Sequence, residues 1–113
     1  MACESVNING IEYVKKQEVL KDMCIIRTYS AGVFFGHLAS RQGKEGIVKN
    51  ARRLWQWSGA ASLSQLAVEG TKNPNQCKFP MPVPEITLTE IIEVIPCTET
   101  AIKSIESVPI WKI

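Results

Sequence analysis

Along this chain the apolar residues come in short blocks with a period near two, punctuated by glycine, proline and asparagine, the pattern of strands joined by turns. "MCIIRTY", Met23 to Tyr29, is apolar and β-branched and predicts a strand, with "SAG" a turn after it. Val33–Ser40 and Gly46–Trp57 predict two more, joined by a glycine-containing turn over 42–44. In the second of these, alternation puts Arg53, Trp55 and Trp57 on one face and Arg52, Leu54 and Gln56 on the other, although the window is short enough to accommodate a helix as well. "EITLTEIIEVIP", Glu85 to Pro96, predicts one strand whose phase slips at Glu90–Ile91, as a bulge makes it slip.

The period lengthens in two places. Leu63, Leu66 and Ala67 share one helical face, Ser62 with Gln65 forms a capping box, and Gly70 fits the position after the last turn, so a helix is expected over 63–69. "CTETAIKSIESV" predicts a second helix, capped by Thr98 and burying Ala101, Ile102 and Ile105. Four of the six prolines fall between Pro74 and Pro84, which predicts an extended segment without a helix. At the N-terminus, "NINGIEYV" carries a hairpin signal at Asn9–Gly10 and "KKQEVLKD" reads as a polar connector. The apolar tail "PIWKI" is expected to dock on the core or on a neighbouring subunit. The sum is an α+β fold, a small antiparallel β-sheet core with two short helices. It forms a single domain over 1–113, with 1–22 as an N-terminal extension and 23–113 as the core.

A chain of 113 residues builds one modest core. Net charge of +2 is too small for bulk attraction to DNA or to a membrane surface, so any cationic site must be local. No apolar run approaches the roughly 18 to 20 residues of a membrane span. The first ten residues lack the basic and apolar blocks of a signal peptide, which points to the cytoplasm. Cys3, Cys24, Cys77 and Cys97 are too widely spaced for a structural zinc site or a small disulfide framework, so free thiols are expected.

Candidate chemistry is concentrated in "KNARRLWQWSGAASLSQLA", Lys49 to Ala67. Arginine pairs with phosphate oxygens through two parallel donors, tryptophan stacks on a base, and free N–H groups at a helix start favour an anion. Arg52, Arg53, Trp55, Trp57 and the turn at Ser58–Ser62 therefore suit a nucleotide-like ligand. The bland alternative is a core tryptophan beside a snorkelling arginine. Arg27, inside an apolar strand, needs a partner: a carboxylate of the fold or an anion. His37 is the single histidine, with no cysteine motif beside it, and Glu90 and Glu93 sit three apart on a strand and face opposite ways. Nothing here makes a case for a catalytic or metal site, nor for a bound cofactor.

"IIRTYSAGVFFGHLASRQGKE", "KNARRLWQWSGAASLSQLA" and "VPEITLTEIIEVIPCTETAIKSIESVPIWKI" resemble a family of small phage proteins, the first class of Thoeris anti-defence proteins. The resemblance runs from Met23 to Ile113 and departs at Phe34, where a histidine is expected. It implies a sponge in the cytoplasm of the infected bacterial host. Such a protein binds, without cleaving, the cyclic ADP-ribose isomer (glycocyclic ADP-ribose) that TIR enzymes make as a signal. A separate site for the cyclic di- or trinucleotides of CBASS is also implied, as is assembly into a homodimer or a hexamer built as a trimer of dimers, with no DNA or membrane partner. By this resemblance Arg52 and Arg53 hold phosphates, and Phe79, Trp55 or Trp57 stacks on the base. Thr89 and Glu90 supply polar contacts, and Lys103 closes the pocket from a partner subunit. Arg27, Gly70 and Thr89 are the candidates for the oligonucleotide site. The competing readings are an enzyme that hydrolyses such signals, a nucleic-acid-binding accessory protein, and a structural phage component whose tryptophans are core.

Overall fold

The computed structural model describes residues 23–113. The Asn9–Gly10 hairpin and the 15–22 connector lie outside the described residues. Five strands form one antiparallel sheet: β1 (Met23–Thr28), β2 (Val33–Gln42), β3 (Glu45–Arg53), β4 (Val83–Leu88) and β5 (Ile91–Pro96), in the spatial order β4-β3-β2-β1-β5. Two helices, α1 (Leu63–Glu69) and α2 (Glu99–Glu106), accompany it. The α+β architecture with two short helices is as the periodicity predicts.

The strand predicted over 85–96 is two strands, and they lie on opposite edges. β4 pairs with β3, from Gly46↔Leu88 to Ala51↔Val83, whereas β5 pairs with β1, from Cys24↔Pro96 to Thr28↔Ile91. Only Thr89 and Glu90 separate them, so the sheet must curl until its edges meet. Two bonds close the corner: Ile91 N–H to the Lys44 carbonyl, 2.8 Å, and Tyr29 N–H to the Glu90 carbonyl, 2.9 Å. The phase slip at Glu90–Ile91 thus coincides with a change of edge, and a register shift lies beside it, where Arg27 pairs with Glu93 but Thr28 with Ile91.

Curling gives the sheet two buried faces. Ile25 and Phe35 point to the side covered by the helices, where they join Leu54, Leu66, Ala67, Phe79, Ile105 and Val108. Their strand neighbours Ile26 and Phe34 point into the curl, with Val48, Ala51, Leu88 and Ile91. Each fully buried aliphatic or phenyl side chain contributes about 1.5–3 kcal/mol.

Two further departures bear on the site. β3 stops at Arg53, four residues short of the predicted end. Leu54 N–H still reaches the Val33 carbonyl at 2.8 Å, but Gln56 then leaves β2 and exchanges backbone bonds with Lys78, at 3.3 and 2.7 Å. Within the proline-rich stretch, Pro74–Gln76 makes one 3-10 turn with proline at its start. This position tolerates proline because the first N–H of a helix has no internal partner.

α1 begins as its capping box predicts. Ser62 Oγ accepts from Gln65 N–H at 3.1 Å, and Gln65 Oε1 reaches back to Ala61 N–H at 2.8 Å. α1 ends at Gly70, with φ of +77°. A Cβ there would overlap the Ser104 side chain of α2. Gly70→Ala therefore forces both a strained backbone and a separation of the two helices, and we expect a loss of roughly 2–4 kcal/mol in urea unfolding.

Candidate functional site

Alternation along β3 decides which of the paired arginines meets solvent. Arg52 faces the helical core and is 6% exposed. Its Nε donates to the Pro80 carbonyl at 3.0 Å and Nη1 to Ile105 at 3.1 Å. Nη2 lies within donating distance of Phe79 (3.1 Å), Val108 (2.7 Å) and Pro109 (3.2 Å). The guanidinium also lies 5.5 Å from the centre of the Phe79 ring. Burial pushes its pKa down, opposed by the nearby Cys77. This group ties the end of α2 to the loop before β4; its hydrogen bonds go to carbonyl oxygens and not to a phosphate site on the surface. The phosphate role expected of Arg52 is corrected on that ground. Phe79 is fully buried beneath it, so no base can reach its ring.

Arg53, one residue on, faces outward. Its guanidinium lies 4.7 Å from the centre of the Phe34 ring, and among the described residues no carboxylate is within ion-pair distance of it. Arg53 lines an open cleft of about 400 Å³ with Ala31, Gly32, Val33, Leu54, Trp55 and Trp57. One wall is the β1–β2 turn and the other is the chain leaving β3. Trp55 stands 63% exposed, whereas Trp57 is half-buried against the helical core. Because β3 ends at Arg53, the two tryptophans do not share a strand face with it; the departing chain brings them to the cleft instead.

The other expected site residues are dispersed. Arg27 is exposed on β1, and its Nε donates to Glu93 of β5 at 2.9 Å. The carboxylate partner is the ordinary one of the two weighed for it, and such an exposed pair contributes at most about 1 kcal/mol. Arg27→Ala is accordingly expected to leave thermal unfolding within a few degrees of wild type. Gly70 is buried between the helices, so the open backbone approach expected of it is corrected: Ser104 occupies that space. Thr89 and Glu90 form the exposed corner between the edge strands, and Glu90 Oε1 accepts from Ser30 Oγ at 2.8 Å, beside the turn that walls the cleft. Lys103 is exposed on α2 and lines none of this cleft.

The turn at 58–62 is occupied by the protein itself. Thr71 Oγ1 donates to the Ser58 carbonyl, Asn73 N–H donates to Thr71 Oγ1 at 3.0 Å, and Gly59, at φ of +84°, packs on the backbone of Lys72 and Asn73. With Gln65 and Ser62 closing the start of α1, this is a structural turn, and the anion expected there has no place in it. Sequence reasoning missed Ala31, Gly32 and Val33 as cleft walls; "SAG" signalled a turn but not what the turn would face.

No group of three metal-ligating side chains occurs among the described residues. Cys77 and Cys97 are free thiols, as expected, and Cys3 lies outside the described residues. Burial pushes Cys97 up to about 12, with the neighbouring Cys24 raising it further and a backbone hydrogen bond opposing. A thiol held protonated is a poor nucleophile. In native protein at pH 8 we expect alkylation of Cys97, read by peptide mass mapping, to be at least about 10-fold slower than after unfolding.

The fold and the cleft define a small α+β protein with a curled five-stranded sheet, two helices and an open cationic–aromatic cleft at one end of the strands. The chain belongs to the family described as a domain of unknown function, DUF6948, whose model matches residues 21–105. No curated protein and no solved structure matches it. No helix among the described residues is long and apolar enough to cross a membrane.

Proposed function

We propose that this protein binds and sequesters, without cleaving, a small nucleotide signal of the cyclic ADP-ribose class. This is the activity implied by its resemblance to the first class of Thoeris anti-defence proteins. One observation carries the reading: Arg53, without a carboxylate partner among the described residues, lies in a largely apolar cleft beside the exposed Trp55. A guanidinium in such a setting binds phosphate with two donors and little competition from water, and the indole face takes a base. Ligand, cation and stacking surface are what sequestration requires; no proton-transfer group or nucleophile needs to act. His37, on β2 and paired with Lys49, lines none of this cleft.

Assembly belongs to the same proposal. Met81, Val83, Ile110, Trp111 and Ile113 are exposed apolar residues, and the Phe79–Ile110 bridge sets their two segments side by side. Covering this strip with a second copy supports a homodimer, or a trimer of dimers, in the cytoplasm of an infected bacterial host. Binding of cyclic oligonucleotides has less support, since Arg27, Gly70 and Thr89 are not gathered into one cleft.

The test uses a TIR reaction that has made its signal and a reporter effector that the signal activates. Adding the protein should silence the reporter, and heating the mixture to denature the protein should restore full activation. Silencing that heating does not reverse would mean cleavage, and no silencing would refute sequestration.

A further inference from the structure

Among the described residues, every arginine but one spends its Nε on an oxygen: Arg27 on Glu93 at 2.9 Å, Arg41 on the Gly43 carbonyl at 2.8 Å and Arg52 on the Pro80 carbonyl at 3.0 Å. Arg53 makes no hydrogen bond to any described residue. What it touches is a ring. Phe34 is its direct partner across β2 and β3, so both side chains leave the sheet on the same face. Phe34 is 2% exposed, fixed in the core inside the curl, and the Arg53 guanidinium lies 4.7 Å from the centre of its ring. A Cβ at Gly32 would stand 4.0 Å from Arg53 Nε, so the β1–β2 turn borders the same side chain. That turn is itself fixed, since Thr28 N–H and Thr28 Oγ1 both donate to the Gly32 carbonyl, at 3.1 and 2.8 Å.

The kind of holder matters chemically. A carboxylate grips a guanidinium by its N–H groups and neutralises it, and a phosphate must then displace that carboxylate. An aromatic ring attracts the cation through its face and takes up none of the five N–H donors. The donors of Arg53 therefore stay available to the cleft, on a side chain already restrained. Ordering a long, loose side chain at the moment of binding would cost affinity.

We propose that Phe34 is a positioning residue, whose ring holds the Arg53 guanidinium at the cleft with its donors unspent, for the phosphate of a nucleotide ligand. This deepens the proposed function and rests on it. Phe34 does not line the cleft and acts only through Arg53.

The test alters the face of the ring and spares its bulk. Phenylalanines carrying successively more ring fluorines are placed at position 34; each fluorine draws electron density from the face and changes the volume little. Phe34→Leu removes the face together with some core volume. Two quantities are read: the NMR order parameter of the Arg53 Nε–H group without ligand, and the affinity for glycocyclic ADP-ribose by equilibrium dialysis. In wild type the order parameter should approach the roughly 0.85 of rigid backbone, and it should fall with fluorination to below about 0.6. Affinity should fall in parallel, by about 2- to 10-fold at the end of the series, and Phe34→Leu should show the same loosening and loss. Effects seen with Phe34→Leu alone would mark simple packing and overturn the positioning role. Affinity that stays at the wild-type value while the guanidinium loosens would also overturn it, and would leave sequestration standing. Wild type that binds no glycocyclic ADP-ribose would overturn the proposed function and the role of Phe34 with it.

Discussion

Replacing Arg52 with alanine is expected to cost about 3–5 kcal/mol of stability, the largest loss at any polar position of the described chain. Five carbonyl oxygens converge on one buried guanidinium, three of them from the end of α2 and the residues after it, two from the loop before β4. Removing it strands buried acceptors on two segments that no other side chain among the described residues ties together in this way, and it leaves a hole over Phe79. In a domain of this size the midpoint of thermal unfolding should fall by at least about 15 °C. Arg52→Lys should recover little, since one ammonium cannot serve carbonyls arriving in the fan that a planar fork spans. A midpoint within about 3 °C of wild type for Arg52→Ala would show that the carbonyls turn to water at little cost.

The contrast with Arg53 shows what the sequence could and could not tell. Alternation places adjacent residues on opposite faces, so it separates Arg52 from Arg53 without saying which is buried. Both faces of this sheet are buried, one by the helices and one by the curl, and a period of two carries no sign for the choice. The helix over Leu63–Glu69 was legible to the residue because Ser62, Gln65 and Gly70 act within a few positions of one another. The split of 85–96 was not, because only pairing with distant strands makes Thr89–Glu90 a corner. The cleft was legible by half: Arg53 and Trp55 stood out by residue type. Its opposite wall comes from Ala31–Val33, ordinary residues placed there by the pairing of β1 with β2.

Arg53→Ala is expected to behave in the opposite way to Arg52→Ala. Its guanidinium is on the surface, and its contact with the Phe34 ring is worth only about 0.5–1 kcal/mol, so folding should be nearly unaffected. Binding of a phosphate-bearing ligand should weaken by about 2–5 kcal/mol, because the phosphate then enters the cleft without its counter-charge. Arg53→Lys should restore part of the loss, keeping the charge without the two-pronged geometry. Salt separates this from general nucleic-acid binding: one phosphate contact gives a shallow dependence, whereas a strand-binding surface loses affinity steeply.

The most direct measurement is capture and release. The purified protein is incubated with a panel of cyclic ADP-ribose isomers and cyclic oligonucleotides, washed by filtration and denatured, and the released molecules are identified by mass spectrometry. Wild type should retain an intact cyclic ADP-ribose isomer in near-stoichiometric amount, and Arg53→Ala should lose it. A cleaved product, or nothing retained from either set, would contradict sequestration.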